Sequence, residues 1–252
     1  MIRTQPLAGT RIVITRPAGT GAALARQVRA LGGVPVLLPG SSLHGCTDAA
    51  TRAALRAALA SHIAIFTSPA AVRFAHRLGP LDGPARVLAP GAGTRAALRR
   101  AGRANVLAPT REDSEGILGL PVLQHVRGQR VALIGASGGR GLLERELTAR
   151  GAAIAHAYVY QRTPARLDQR HATALQRAAR RPLYVLLSSG EALVNILAGL
   201  PIDARRVLLA GTAIVSSERL AEATRAAGFA RIVKAGSAHG PALLDAVVAQ
   251  PG

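Results

Sequence analysis

One local pattern, an apolar strand that ends in two hydroxyl residues and turns into a helix, occurs twice in this chain. The first copy ends its strand with Thr67-Ser68 and the second with Ser188-Ser189. Side-chain hydroxyls and free backbone N–H groups at the start of a helix bind anions. The repeat therefore predicts two similar βα regions, each with a strand end that is suited to bind an anion.

Predicted strands and helices alternate along the whole chain, which is typical of parallel βαβ units. After each copy of the pattern a second strand is predicted to reach a glycine, over 87–91 and over 207–211. Helices are predicted over 69–78, 94–101 and 115–126. The count is about ten strands, more than one small sheet usually holds. We therefore expect an α/β protein with two doubly wound, parallel-sheet domains.

The order of these elements predicts that one domain is inserted into the other. The first strand and helix have too few partners to fold alone, whereas the middle of the chain contains a complete set of alternations. The predicted boundaries are residues 1–38 with 166–252 for the discontinuous domain, 43–160 for the inserted domain, and 34–42 and 153–165 for a two-stranded hinge.

The charge of the chain has two possible explanations. Its net charge of +19 comes from 32 basic and 13 acidic residues, and Lys234 is the only lysine. An anionic partner would explain the excess, and so would a general bias toward arginine, since the arginines are scattered with no run longer than a pair. Aromatic residues make up only 2%, which argues against nucleic-acid binding by base stacking.

Composition also restricts cofactors and location. Cys46 is the only cysteine, which excludes an internal disulfide and a CxxC metal site, and the histidines lack metal-ligand spacing. We therefore expect no metal site. The N-terminus has no signal-peptide pattern, and no apolar stretch approaches the roughly 20 residues of a membrane helix. The expectation is a soluble, cytoplasmic monomer without a membrane partner.

Two glycine-rich motifs suggest other activities. Residues 91–96 match the dinucleotide pattern GxGxxA, but the acidic residue expected further on is absent. Residues 135–139 match the GxSxG pattern of α/β hydrolases, with Ser137 as nucleophile and Asp203 and His239 in the order of that class. Such patterns arise easily in a glycine-rich chain. A hydrolase using Ser137 and a non-catalytic anion-binding module stay open as alternatives.

Several short motifs follow one another in an order and spacing that extend over nearly the whole chain. They are Ile14-Thr15-Arg16-Pro17, Phe66-Thr67-Ser68, Ser114-Glu115, the Gly135–Arg140 loop, Val159-Tyr160-Gln161-Arg162-Thr163, Ser188-Ser189-Gly190 and Ser216-Ser217-Glu218-Arg219-Leu220. Each motif is weak alone, but together they resemble the uroporphyrinogen-III synthase family of tetrapyrrole (heme) biosynthesis.

The resemblance implies a fold and a reaction. The fold would be two flavodoxin-like α/β domains joined by a two-stranded hinge, one of them discontinuous. The reaction would be the dehydrating cyclisation of hydroxymethylbilane, a linear tetrapyrrole, with inversion of its last pyrrole ring through a spiro intermediate. The product would be uroporphyrinogen III, formed without cofactor or metal. Hydroxymethylbilane synthase is the partner that could hand over the substrate.

The resemblance and the strand-end pattern together give the candidate site. Tyr160 would be catalytic, with its phenol hydrogen-bonded to the departing hydroxyl; Tyr158 lies two positions earlier on what we expect to be the same strand face. The hydroxyl residues would cap helices and bind the substrate's carboxylates at once. The candidate binding residues are Arg16, Thr67, Ser68, Thr94, Ser137, Gly138, Arg140, Ser188, Ser189, Ser216 and Ser217.

Overall fold

Two β-sheets, one of five strands and one of six, organise the part of the chain that the structure describes. The computed structural model describes residues 5–138, 141–187 and 189–250. The strands are β1 Arg11–Ile14, β2 Val34–Leu37, β3 Ser41–Gly45, β4 Ile63–Phe66, β5 Arg86–Leu88, β6 Val106–Leu107, β7 Arg130–Ala136, β8 Ala153–Pro164, β9 Leu183–Leu186, β10 Thr212–Val215 and β11 Arg231–Lys234. The helices are α1 Ala22–Ala30, α2 Ala49–Leu59, α3 Pro69–Leu78, α4 Ala92–Arg100, α5 Ser114–Leu118, α6 Leu142–Ala149, α7 Gln169–Ala178, α8 Gly190–Gly199, α9 Ile202–Ala210, α10 Glu218–Ala226 and α11 Gly240–Val248.

The chain divides into two compact units, Met1–Leu43 with Thr163–Gly252 (unit 1) and His44–Arg162 (unit 2). The predicted alternation of helices with parallel strands is confirmed in both. The domain boundaries and the hinge inferred from the sequence stay predictions.

Unit 1 has a parallel sheet in the order β11-β10-β9-β1-β2 with helices on both faces. Ile12 and Ile14 of β1 pack with α1 and α11, whereas Val13 packs with α7 to α10. Consecutive strand residues point to opposite faces, so a central strand covered on both sides must be apolar throughout. This explains why β1 is an uninterrupted apolar run after Arg11.

The edge strand β2 of unit 1 offers few groups for pairing with another strand. The N–H groups of Val34 and Leu38 donate to Thr10 and Ile14 on the β1 side, so the alternate residues Pro35 and Leu37 face away from the sheet. Proline has no N–H, and Leu37 N–H is the only donor left on that side of β2. Proline at an edge is a common protection against strand addition.

Unit 2 contains the sheet β3-β8-β7-β4-β5-β6, in which the four successive pairings from β8 to β6 are parallel. Its β4 is buried at every residue. One of its cores joins β4, β5 and β7 to α5 and α6, with Ile65, Leu88 and Leu147 fully buried. The parallel pairing places the carboxyl ends of β4, β5 and β7 at one edge of the sheet.

A β-bulge separates the environments of Tyr158 and Tyr160 in β8. Gly135 lies opposite Tyr158, and the next residue, Ala136, lies opposite Tyr160. The extra residue breaks the two-residue alternation of the strand, so that Val159 and Tyr160 are both buried. Tyr158 is 44% exposed and Tyr160 1% exposed. The expectation that the two tyrosines share a strand face is therefore wrong.

Two sequence-based assignments of secondary structure are wrong. The predicted strand 207–211 belongs to α9, whose buried Ala204 and Leu208 have helical spacing, and the strand β10 begins only after Gly211. The predicted helix 115–126 is split into α5 and a 3₁₀ turn over Pro121–Leu123. Proline cannot donate the N–H that would continue a helix, which explains the break.

Arg150, which follows α6, is expected to be important for the stability of unit 2. Its Nη1 donates to Leu118 O at 2.8 Å and to Leu123 O at 2.9 Å, so it joins the end of α5 to the 3₁₀ turn. Arg150→Met should lower the free energy of unfolding by about 2 kcal/mol, because two carbonyls lose a charged donor. Urea titration would measure this. Arg145→Met, at an exposed ion pair, should change the free energy of unfolding by less than about 0.5 kcal/mol. Equal effects of the two substitutions would contradict the stabilising role of Arg150.

Candidate functional site

In unit 1 the candidate residues follow the carboxyl ends of neighbouring parallel strands. Arg16 follows β1, Ser189 follows β9, and Ser216 and Ser217 follow β10. Ligands of open α/β sheets bind at this edge, where the strands turn into helices. The topology thus places four of the candidate residues at one sheet edge. Ser188 and Arg140 lie outside the described residues.

Two of these serines, Ser189 and Ser217, are the N-caps of helices. Ser189 Oγ accepts a hydrogen bond from Ala192 N in α8, and Ser217 Oγ accepts one from Leu220 N in α10, each at 3.3 Å. A hydroxyl that accepts from its helix still has its own proton to donate. Both caps therefore retain a donor for an anion, at the positive end of a helix dipole.

Arg16 has an unsatisfied buried donor. Its Nη2 donates to Ala238 O at 3.1 Å, whereas its buried Nε has no hydrogen-bond partner among the described residues. Burial lowers the pKa of the Arg16 guanidinium. A buried donor without an acceptor is rare in native proteins, and the carboxylate of a ligand would satisfy it.

In unit 2 the candidate residues also follow parallel strands. Thr67 and Ser68 follow β4, Ser137 and Gly138 follow β7, and Tyr160 lies near the carboxyl end of β8. Ser68 starts α3, since its Oγ accepts from Ala71 N at 3.1 Å. Ser137 is exposed, and Gly138 has φ of 78°, a left-handed conformation that favours glycine.

The hydroxyl proton of Thr67 is used inside the sheet. Its Oγ1 donates to Ile134 O of β7 at 3.2 Å. A Cβ on Gly135 would collide with Thr67 Oγ1, so this hydrogen bond requires glycine at position 135. Thr67 therefore holds β4 to β7 and keeps only acceptor capacity at its hydroxyl.

The start of α4 differs from the sequence-based expectation. Thr94 was expected to begin this helix, but Gly91 is the N-cap and Thr94 lies inside the first turn, 3% exposed. The N–H of Ala92 donates to Glu112 Oε1 at 3.0 Å. A carboxylate of the chain itself thus occupies the helix start where the dinucleotide pattern would have placed a phosphate, which disfavours that alternative.

Tyr160 lies in a polar and aromatic cluster within unit 2. Its hydroxyl is 3.2 Å from Ser68 Oγ and accepts from Arg162 Nη2 at 3.4 Å. Its ring stacks on Phe74 with a centroid distance of 5.3 Å and an interplanar angle of 20°. Sequence reasoning named Tyr160 and Ser68 but missed Arg162 and Phe74. Arg162 stood in the same quoted motif as Tyr160, which was the available signal.

Other chemistries find little support in the described ranges 5–138, 141–187 and 189–250. No group of three or more His, Cys, Asp or Glu side chains there could hold a metal ion. None of the helices in these ranges is both long and apolar enough to cross a membrane. Ser137 belongs to unit 2, whereas Asp203 and His239 belong to unit 1, so no single sheet carries the three residues of the hydrolase alternative.

Sequence comparison matches this chain to one family along most of its length. The family described as uroporphyrinogen-III synthase HemD matches residues 22–245. The chain is 35% identical over 244 residues to a uroporphyrinogen-III synthase of Salmonella typhimurium, covering 94% of this chain and 99% of that protein. It is 33% identical over 247 residues to the Escherichia coli K12 protein of the same name, with the same coverage.

A solved structure supports the fold. The uroporphyrinogen-III synthetase from Helicobacter pylori 26695 matches with a TM-score of 0.61 at 14% identity, covering 95% of this chain and 98% of that one. Since the family match extends over most of the residues and the curated relatives align along nearly their whole length, the chain belongs to the uroporphyrinogen-III synthase family.

Proposed function

We propose that this protein is an active uroporphyrinogen-III synthase, a cyclising hydro-lyase that converts hydroxymethylbilane into uroporphyrinogen III. The observation that supports this most directly is the repeated strand end. In each unit a capping serine begins a helix at the carboxyl edge of a parallel sheet, Ser68 in unit 2 and Ser189 and Ser217 in unit 1. Such strand ends suit the carboxylate arms of a linear tetrapyrrole.

Arg16 would add the charged contact of unit 1. Its buried Nε lacks an acceptor in the described residues, and a carboxylate oxygen would supply one. The other candidate residues, Thr67, Ser137, Gly138 and Ser216, lie at the same sheet edges and are proposed to form the surroundings of the substrate. Thr94 is a weaker candidate, because it is buried in α4 and Glu112 occupies that helix start.

The proposed reaction is a redox-neutral dehydration. The hydroxyl of hydroxymethylbilane leaves with a proton as water, which makes the terminal carbon electrophilic. A carbon–carbon bond then forms through the spiro intermediate, the last ring inverts, and a proton is lost as the macrocycle closes. The unassisted chain closes without inversion to isomer I, so the protein must mainly hold the chain in the geometry of one closure. Such positioning favours one closure by fixing the reacting ends in its geometry.

A coupled assay tests this proposal. Hydroxymethylbilane is generated in situ, the protein is added, and the products are oxidised and separated as uroporphyrin isomers. Isomer III should dominate with the protein and isomer I without it. Isomer I alone, in the presence of protein with a native circular dichroism spectrum, would contradict the proposed activity. Handover by hydroxymethylbilane synthase, the monomeric state and a cytoplasmic location stay predictions.

A further inference from the structure

The hydroxyl of Tyr160 is enclosed by protein. Tyr160 is 1% exposed, its ring is fixed on Phe74, and its oxygen contacts Ser68 Oγ and Arg162 Nη2. Ser68, at the start of α3, is half-buried and therefore more accessible than Tyr160. A ligand at this strand end would therefore meet Ser68 before Tyr160.

The donors in this cluster set the direction of its hydrogen bonds. A guanidinium only donates, so Arg162 must donate to the Tyr160 oxygen, and Ala71 N–H must likewise donate to Ser68 Oγ. Between the two hydroxyls, either could donate. If Ser68 donated, the phenolic proton would be buried, and the described part of the chain offers it no acceptor other than Ser68 Oγ. An unsatisfied buried donor is costly, so Tyr160 donates to Ser68.

We infer that Tyr160 and Arg162 are positioning residues, which orient the Ser68 hydroxyl so that its proton is directed away from Tyr160 toward a ligand carboxylate. Ser68 Oγ then accepts from both Ala71 and Tyr160, and donating outward is the only role left for its proton. This inference rests on the proposed function, because that function supplies the carboxylate. It assigns a role to Arg162 and moves Tyr160 from the leaving group to the binding of a carboxylate arm.

The environment of Phe74 supports a fixed geometry for this chain of hydrogen bonds. The Arg73 and Arg77 guanidinium carbons lie 5.1 and 5.5 Å from the centroid of the Phe74 ring, within the range of cation–π attraction. Phe74 in turn holds the Tyr160 ring by stacking. The phenol therefore has little rotational freedom, and its oxygen stays within reach of Ser68.

The test is a double-mutant cycle read by ligand binding and by kinetics. The probe is uroporphyrin III, a stable oxidised polycarboxylate, whose own fluorescence reports its Kd. Tyr160→Phe and Arg162→Met should each raise Kd, and the KM for hydroxymethylbilane, about 3- to 10-fold, as expected for one misdirected hydrogen bond. The value of kcat should change less than about twofold, since no reacting atom loses a partner.

In a Ser68→Ala background, the same two substitutions should have no further effect, because the group that they orient is gone. Additive effects in that background would overturn the inference. So would a fall in kcat of about 100-fold in Tyr160→Phe with KM unchanged, the result expected if the phenol assisted the leaving hydroxyl. Failure of the wild-type protein to bind uroporphyrin III would also overturn it.

Tyr158→Phe is the matched control, because this exposed tyrosine lies in the same strand and should leave Kd unchanged. Arg162 is itself exposed, so Arg162→Met keeps the test valid even if Tyr160→Phe fails to fold. A failed proposed function is recognised separately. If the wild-type protein made only isomer I, but the variants changed the Kd of the probe with the expected non-additivity, the inference would stand. The proposed synthase activity would then be contradicted.

Discussion

Replacing Arg16 by methionine is expected to cost substrate affinity without costing stability. The KM for hydroxymethylbilane should rise at least tenfold, because a hydrogen bond to a charged group contributes about 1.5–3 kcal/mol. The free energy of unfolding should stay the same or increase. Methionine fills most of the volume of the arginine stem and leaves no buried donor without an acceptor.

The reason lies in the burial of a charge that the protein itself only partly satisfies. Arg16 donates to Ala238 O, but Nε has no partner in the described ranges, and burial lowers the pKa of the guanidinium. A base whose pKa is lower in the folded than in the unfolded state destabilises the fold at every pH at which it is protonated. For an arginine this includes the whole neutral pH range. Replacing the charged side chain should therefore not lower the free energy of unfolding.

Urea titration and steady-state kinetics on Arg16→Met and Arg26→Met would check this prediction. Arg26 is an exposed arginine of α1, and its replacement should leave both quantities unchanged. A decrease in unfolding free energy of more than about 1 kcal/mol for Arg16→Met, together with an unchanged KM, would identify Arg16 as an ordinary structural residue.

The second large effect is expected at Gly40, where the chain passes close to α8. A Cβ at Gly40 would lie 2.5 Å from Ala192 Cα and 2.7 Å from Ala192 O, and would also collide with Ala192 Cβ. Gly40 O accepts a hydrogen bond from Asn195 Nδ2 at 3.1 Å, so both sides of the contact are fixed. Gly40→Ala should lower the free energy of unfolding by about 3 kcal/mol, the upper part of the usual range for overpacking.

The same substitution should weaken substrate binding, because α8 begins at the Ser189 cap and must shift to admit the methyl group. Thermal unfolding and KM would be measured on Gly40→Ala and on Gly236→Ala. Gly236 is exposed, with nothing within 4 Å of its position for a Cβ, and is expected to tolerate alanine within about 0.5 kcal/mol. Equal stability of the two variants would contradict this prediction, because it would show that α8 can shift to admit the methyl group without lowering the free energy of unfolding.

Features specified by neighbouring residues were predictable from the sequence. The bounds Pro69–Leu78 of α3 were predicted correctly, because Ser68 as cap, proline at the first position and Gly79 after the last residue are all local signals. The run Val207–Ala210 has no such signal. Its apolar residues are compatible with either a strand or a buried helix. The helix is stabilised by the burial of Ala204 and Leu208 in the core of unit 1.

The parts of the candidate site that depend on distant residues could not be predicted. The bulge that buries Tyr160 and exposes Tyr158 is a property of the β7–β8 pairing, whereas alternation along β8 alone predicts that both lie on the same face. The unsatisfied Nε of Arg16 depends on where the loop at Ala238 passes. Sequence patterns therefore located the strand ends, whereas the hydrogen-bond state of each side chain required the structure.

The proline in β2 also has a consequence for the order in which the protein is synthesised. β1 pairs on its other side with β9, which begins at Leu183, so the ribosome adds roughly 150 residues before that partner emerges, on the order of 10 s at usual rates. Throughout this interval, the N–H of Leu37 is the only backbone donor on the outer side of β2 that could pair with a newly synthesised strand. The open side of β1 is then the main edge ready for pairing, and it is the one that β9 requires. We therefore expect Pro35 to disfavour the pairing of β9 with the outer side of β2.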